Sequence, residues 1–216
     1  IVSDREDPDL QFAWQRESET GGFGFSAGYA ESSTLSNAIE DTGVVAADGT
    51  QKTYSLDGNW SSALSERSTL TNNSNYSRVS YDIDSLTGYD ELSTRLSWNY
   101  AWSERIEPFT SFAISHYEPR DTAQTQSSDS YTPSTGLKLQ ITEQLEATVR
   151  AGLNQVSGTS SGPRGQGGLA LHYRGERFAS SIDVGRSTVA SGDGGFTEIS
   201  TLNGAWSYAV SEVSRV

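Results

Sequence analysis

Between Leu92 and Glu107 the chain alternates. Leu92, Thr94, Leu96, Trp98 and Tyr100 take every second position, and Ser93, Arg95, Ser97 and Asn99 fill the gaps. Successive side chains of a strand point to opposite sides, so this predicts a ribbon with one apolar, aromatic-ended face and one polar face. The pattern breaks at Trp102, Ser103, Glu104 and Arg105, a short charged corner, and a new strand leaves from Ile106.

Similar corners recur at Ser65 to Arg67, Thr142 to Gln144, Gly175 to Arg177 and Ser211 to Val213. Their glutamates (Glu66, Glu104, Glu143, Glu176, Glu212) are spaced roughly 33 to 39 residues apart, a repeat signal that has to be identified before any fold is assigned. Each interval holds an outgoing strand, a loop rich in Gly, Ser, Thr and Asp, and a returning strand that ends in aromatic or aliphatic residues. The unit is a β-hairpin, because no window sustains apolar residues at helical spacing.

Residues 1–9 are charged and unpatterned, a lead-in to a single unit over 10–216. Leu10 to Gln15 and Gly22 to Tyr29 predict a first hairpin, followed by a long acidic loop from Ala30 to Thr50 and a strand through Tyr54, Leu56, Gly58 and Trp60. The next strand is irregular. Val79 and Tyr81 read as apolar-facing, but the same face continued backwards gives Ser77, Asn75, Asn73 and Thr71. A β-bulge near Tyr76 that turns Leu70 and Tyr76 outward is one repair; burial of this face against a partner or plug is another. The phase of Phe109 to Tyr117 is not fixed by its pattern. Thr135 to Ile141 alternates clearly, and Leu145 to Asn154 is the cleanest stretch of all. Strands over Leu169 to Tyr173, Phe178 to Val184 and Leu202 to Tyr208 complete about eleven to twelve.

Short corners alternate with longer loops, the asymmetry of an up-and-down antiparallel transmembrane barrel whose short side is periplasmic. Mean hydropathy of -0.54 and the lack of any long apolar run exclude a membrane helix but not a barrel, which needs only alternate apolar residues over ~9–11 positions per strand. Trp60, Trp98, Tyr100, Trp102, Tyr173, Trp206 and Tyr208 cluster near strand ends, where a membrane-interface girdle lies. In a soluble sheet they would sit mid-strand. An odd strand count, and an end at Val216 where another strand would start, lead to the expectation that the barrel is incomplete here or part of a larger one.

The chain has no cysteine, and hence no disulfide frame or thiolate chemistry. A net charge of -13 argues against a nucleic-acid partner. Neither His116 nor His172 sits at a metal-like spacing or beside a nucleophile, and there is no GxSxG elbow, so no catalytic residue, metal or cofactor is expected. The Ser191 to Gly195 loop lacks the ligand spacing of a calcium loop and reads as a turn. The acidic loops at Glu40 and Asp41 and over Asp121 to Asp129 read as solvated tips, with lipopolysaccharide-bridging divalent ions as the alternative.

If the apolar faces meet lipid, the alternate residues line the lumen: Asp57, Arg78, Arg95, Lys138, Arg150, His172, Arg174 and Asp183. Arg and Lys outnumber Asp in this set, which predicts a mildly cationic interior that favours anionic solutes. The competing reading is that charges on neighbouring strands pair and brace the wall.

The phrases Ser62 to Leu70, Leu96 to Phe109 and Leu139 to Leu153 resemble the strand-corner-strand phrases of Gram-negative outer-membrane β-barrels. They are most similar to the large barrels encoded with exopolysaccharide-export and PEP-CTERM-type gene clusters. The likeness covers roughly Tyr54 to Val210. It implies the bacterial outer membrane as location, bilayer and lipopolysaccharide as surroundings, and polysaccharide as cargo. Two features depart from that group: its members carry more strands, and outer-membrane barrels usually finish on an aromatic residue, unlike Val216. Three functions follow as expectations: a pore or export conduit for polysaccharide or polar solutes, an architectural barrel that sheaths a plug or periplasmic partner, and a soluble secreted binding module.

Overall fold

A computed structural model describes residues 8–34, 49–84, 86–120, 126–157, 162–192 and 194–209. The expected acidic tip at Glu40 and Asp41, most of that at 121–129 and the last corner at 211–213 lie outside the described residues. Eleven strands follow one another: β1 (Asp9–Ser18), β2 (Gly21–Ser33), β3 (Thr50–Ser65), β4 (Ser68–Tyr81), β5 (Tyr89–Tyr100), β6 (Ile106–Pro119), β7 (Ser128–Gln140), β8 (Leu145–Val156), β9 (Arg164–Arg174), β10 (Phe178–Ser191) and β11 (Gly195–Tyr208).

Every strand pairs antiparallel with its neighbours in sequence, giving one up-and-down sheet in the order β1 to β11. The chain is thus all-β, as its alternation predicts. The sheet is open: β1 and β11 do not pair with each other among the described residues. Because the strands alternate in direction, these two edges run the same way. Antiparallel closure therefore takes an odd number of further strands between them. The sheet nonetheless curls, since β11 approaches β6 and β7, and the Tyr117 hydroxyl of β6 donates to the Ser191 carbonyl of β10 at 3.3 Å.

Strand pairing fixes the two faces, because directly opposed residues share a side. Leu92, Thr94, Leu96 and Trp98 oppose Tyr76, Ser74, Asn72 and Leu70 on β4, and His116, Ile114, Phe112 and Thr110 on β6. Carried on through β7 to β10, this convex face takes Leu137, Val149, Leu169 and Val184. It is oily and uncovered: Val149 is 46 % and Leu153 54 % exposed. The buried apolar residues, by contrast, are only Val79, Tyr89, Tyr117, Ala147 and Ala190 among the described residues. A water-soluble fold needs a dry interior and does not display an apolar face of this extent. The oily side looks outward.

The irregular strand resolves without either expected repair. β4 runs in unbroken register from Ser68 to Tyr81, and the one register shift with β3 falls between Ala63 and Ser65. Leu70 and Tyr76 are outside by simple alternation, while Val79 turns inward. Val79 is apolar because it packs with Tyr89, Tyr117 and Ala190, backed by Tyr81 and Phe196, at the long-loop end of the curl. The two polar outer residues between Leu70 and Tyr76, Asn72 and Ser74, bond to each other (3.0 Å) and to the Thr94 hydroxyl (3.0 Å each). Their hydrogen-bonding groups are thus engaged within the wall, as lipid requires.

Several strands are longer than their pattern predicts. β1 and β2 reach Ser18 and Gly21, so the first turn is tight. β2 runs on to Ser33, and β10 to Ser191. The β10–β11 tip turns through Gly194, whose φ of 96° suits glycine.

Candidate functional site

Among the described residues, the concave wall is the one extended surface whose residues converge. On β3, β4 and β5 it presents Ser55, Asp57, Asn59, Asn73, Asn75, Ser93 and Arg95; on β6 to β8, Ser111, Ala113, Ser134, Gly136, Lys138 and Arg150. Short side chains on one face of a long strand leave space in front of the backbone. Several recesses occupy it, three of them large.

One, of about 400 Å³, lies over Asp57, Asn73, Asn75 and Arg95. A second, of about 340 Å³, is bordered by Arg95, Phe109, Arg150 and Asp183. A third, of about 580 Å³, opens at the short-turn end between Glu146, His172, Arg174 and Trp206.

Seven of the eight predicted lumen residues take the concave face: Asp57, Arg95, Lys138, Arg150, His172, Arg174 and Asp183. The eighth, Arg78, lies on the convex face. It opposes Tyr54 on one side and Asp90 on the other, and its Nε donates to Asp90 at 2.7 Å, where the Tyr76 hydroxyl also donates at 2.9 Å. Counting outward from Val79 and Tyr81 misplaced it, because those two residues are apolar for the inner cluster and not for lipid.

The predicted excess of positive charge does not survive either. Glu91, Glu107 and Glu146 share the concave face, and Lys138 is paired with Glu107 at 3.3 Å. Glu91 and Glu107 were missed because acid near strand ends reads as loop, whereas Glu146 alternates plainly with Arg150 and was only omitted from the charge count. Asp57 is also engaged: Asn75 Nδ2 donates to it at 2.7 Å and Ser26 Oγ at 3.2 Å. The pairing of charges that braces neighbouring strands is thus met for Lys138, while Asp57 is held by neutral donors. Arg95 and Arg150 form no ion pair among the described residues.

A ring of charge on the convex face went unpredicted. Near the long-loop ends, Lys52 pairs with Glu31 (3.5 Å), Arg78 with Asp90, His116 with Asp129 (2.7 Å) and Arg186 with Glu198, which Arg164 also approaches (3.4 Å). The convex aromatics at the other end are Phe23, Trp60, Trp98, Phe178 and Tyr208. From either end of a strand to the other, aromatic and charge stand about eight to ten residues apart. At ~3.3 Å per residue and a tilt of ~40°, that is a band of roughly 20–25 Å, close to the apolar height of an outer-membrane barrel. The pairs mark where hydrocarbon gives way to headgroups. Of the predicted interface aromatics, Trp98 donates to the Ser68 hydroxyl at 2.7 Å and Tyr173 to Gln144 at 3.0 Å, while Trp102 stands out from the corner at 69 % exposure.

His116 serves in an ion pair, and His172 borders the recess at the short-turn end. Among the described residues no group of acidic, His or Cys side chains could hold a metal ion. Asp193 of the glycine-rich tip lies outside the described residues.

No protein-family model matches the chain, and comparison with curated proteins finds no match. Solved structures do. The toluene transporter TodX of Pseudomonas putida has a TM-score of 0.51 at 10% identity, over 95% of this chain and 74% of that one. The monoaromatic hydrocarbon channel CymD gives 0.50 at 10%, with the same two shares. A FadL homologue of Pseudomonas aeruginosa gives 0.49 at 10%, over 92% of this chain and 65% of that one. The chain thus spans about two thirds to three quarters of the length of these barrels. The likeness shows the fold, an outer-membrane-type β-barrel sheet, and does not reach the finer resemblance to exopolysaccharide-export barrels.

Proposed function

We propose that this chain forms the wall of a passive conduit for hydrophilic solutes in the bacterial outer membrane, with no catalytic step and no cofactor. The observation that carries the reading is the sorting of the two faces. An uncovered apolar band of membrane height lies on one side, and a wall of Ser, Asn, Asp and Arg lies on the other. Polysaccharide is the cargo favoured by the strand-corner resemblance, and an amide- and hydroxyl-rich wall suits sugars, which exchange hydrogen bonds with such groups as readily as with water. The sheet must be closed by strands beyond the eleven described, from the same chain or another.

A second reading rests on the inner cluster of Tyr81, Tyr89, Tyr117 and Phe196. An aromatic mouth suits apolar ring compounds, the solutes named for CymD and TodX. Reconstitution of the full chain decides between them. In planar bilayers a steady open conductance is expected, and in vesicle-swelling assays maltose and maltohexaose are expected to enter. A silent barrel would refute the conduit and leave an architectural role that anchors a plug or periplasmic partner. Toluene flux without sugar entry would favour the second reading.

A further inference from the structure

We infer that Arg95 and Arg150 form a binding site for small polyvalent oxyanions, carrying phosphate or several carboxylates, at mid-height of the concave wall. As a statement about transported solutes this rests on the conduit reading; as a statement about binding it does not. The two arginines come from β5 and β8, the outer members of a four-strand stretch. Adjacent strands lie ~4.8 Å apart, so β5 and β8 are about 14 Å apart across the sheet, and pairing sets the two arginines four residues out of line, roughly 13 Å along the strands. The strands between them present Ser111 and Ala113 on β6 and Ser134 and Gly136 on β7. The one large side chain on that floor is Phe109 of β6, in line with Gly136 and Arg150. The Ser111 and Ser134 hydroxyls are bonded to each other at 2.7 Å, and the Phe109 ring lies across Gly136, where a Cβ would collide with it.

Both arginines border the same recess of about 340 Å³, a volume within the range of small-molecule sites, and they are near enough for their charges to repel. Of the other strand cations, Lys52, Arg78, Lys138, Arg164 and Arg186 have carboxylate partners, while Arg16 and Arg174, near the short-turn ends, form no ion pair among the described residues. Arg95 and Arg150 have none among the described residues, although the chain carries a net charge of -13. Asp57, the nearer acid on the β3 side, is held by Asn75 and Ser26. Asp183 borders the recess from β10, so the local balance is two guanidiniums against one carboxylate. Two like charges facing a common space are unfavourable until a shared counter-ion enters, and planar guanidiniums bind oxyanions through paired N–H groups. The molecule's overall field repels anions, so binding here has to come from this pair.

Pyrophosphate is the probe. With the full chain folded in detergent micelles at low salt, isothermal titration is expected to show binding. Arg95→Gln and Arg150→Gln should each weaken it about tenfold, or ~1.4 kcal/mol. Arg95→Lys, which keeps the charge and the fold but loses the paired donors, should fall between. Asp183→Asn should tighten binding severalfold. Absence of binding, or equal affinity in the folded Arg95→Lys and parent chains together with no response to Asp183→Asn, overturns the inference. A chain that binds pyrophosphate without conducting refutes the conduit and keeps the site; a chain that conducts but does not bind refutes the site and keeps the conduit.

Discussion

Val149→Arg is expected to destabilise the barrel by about 2–4 kcal/mol, whereas Ser93→Arg at similar height should cost less than about 1 kcal/mol. Val149 sits mid-strand on the convex face, flanked by Leu137 and Leu169 on the adjoining strands. Its surroundings are hydrocarbon, and an arginine there must carry its charge into lipid or drag water after it. Ser93 sits on the concave face, across β4 from Asp57 by way of Asn75, where a cation stays hydrated and has an acid within reach. Urea titration of folding into phosphatidylcholine vesicles measures both. Equal losses, or a larger loss at Ser93, would mean that the faces are assigned the wrong way round.

That contrast depends on a property of the sequence that varies along the chain. Over Leu145 to Asn154 the outward residues are Leu, Ala and Val, and the inward ones are Glu, Thr, Arg, Gly and Asn, so the faces are legible from composition alone. Over Phe109 to Tyr117 they are not. Phe112 and Ile114 meet lipid, but Phe109 and Tyr117 point inward, one lying over Gly136 and the other entering the mouth cluster. Large apolar side chains on both faces cancel the alternation. The same cluster explains Arg78: Val79 and Tyr81 look lipid-facing until the curl brings them against β6 and the β10–β11 tip, a contact between segments more than a hundred residues apart that no local pattern encodes.

The membrane boundary was legible on one side only. Tryptophan and tyrosine next to a charged corner announce the short-turn interface. On the other side the markers are acids and bases that each look like loop residues, and become meaningful only when pairing sets Asp90 beside Arg78 and Asp129 beside His116. The central charges show a related limit. Alternation placed Arg95 and Arg150 on the concave face, but it could not show that the two border one recess across β6 and β7.

The largest loss is expected at the mouth, from Tyr117→Ala. Among the described residues Tyr117 is the one large side chain with no exposure at all, in contact with the rings of Tyr89 at 5.0 Å and Phe196 at 6.0 Å between centroids, and its hydroxyl donates to the Ser191 carbonyl. Truncating a fully buried aromatic removes its burial and leaves a cavity, about 3–5 kcal/mol together. Tyr117→Phe keeps the ring and gives up the bond to Ser191, about 1 kcal/mol. Because that bond and the one from the Thr87 amide to the Gly192 carbonyl (2.9 Å) tie the β10–β11 tip to the far side of the curl, the alanine variant should also free the tip. Amide exchange at 187–192 is then expected to accelerate in Tyr117→Ala far more than in Tyr117→Phe, with the exchange of β8 unchanged. If the two substitutions cost the same, the ring is not what holds the tip, and the mouth cluster is no more than a hydrogen-bonded crossing.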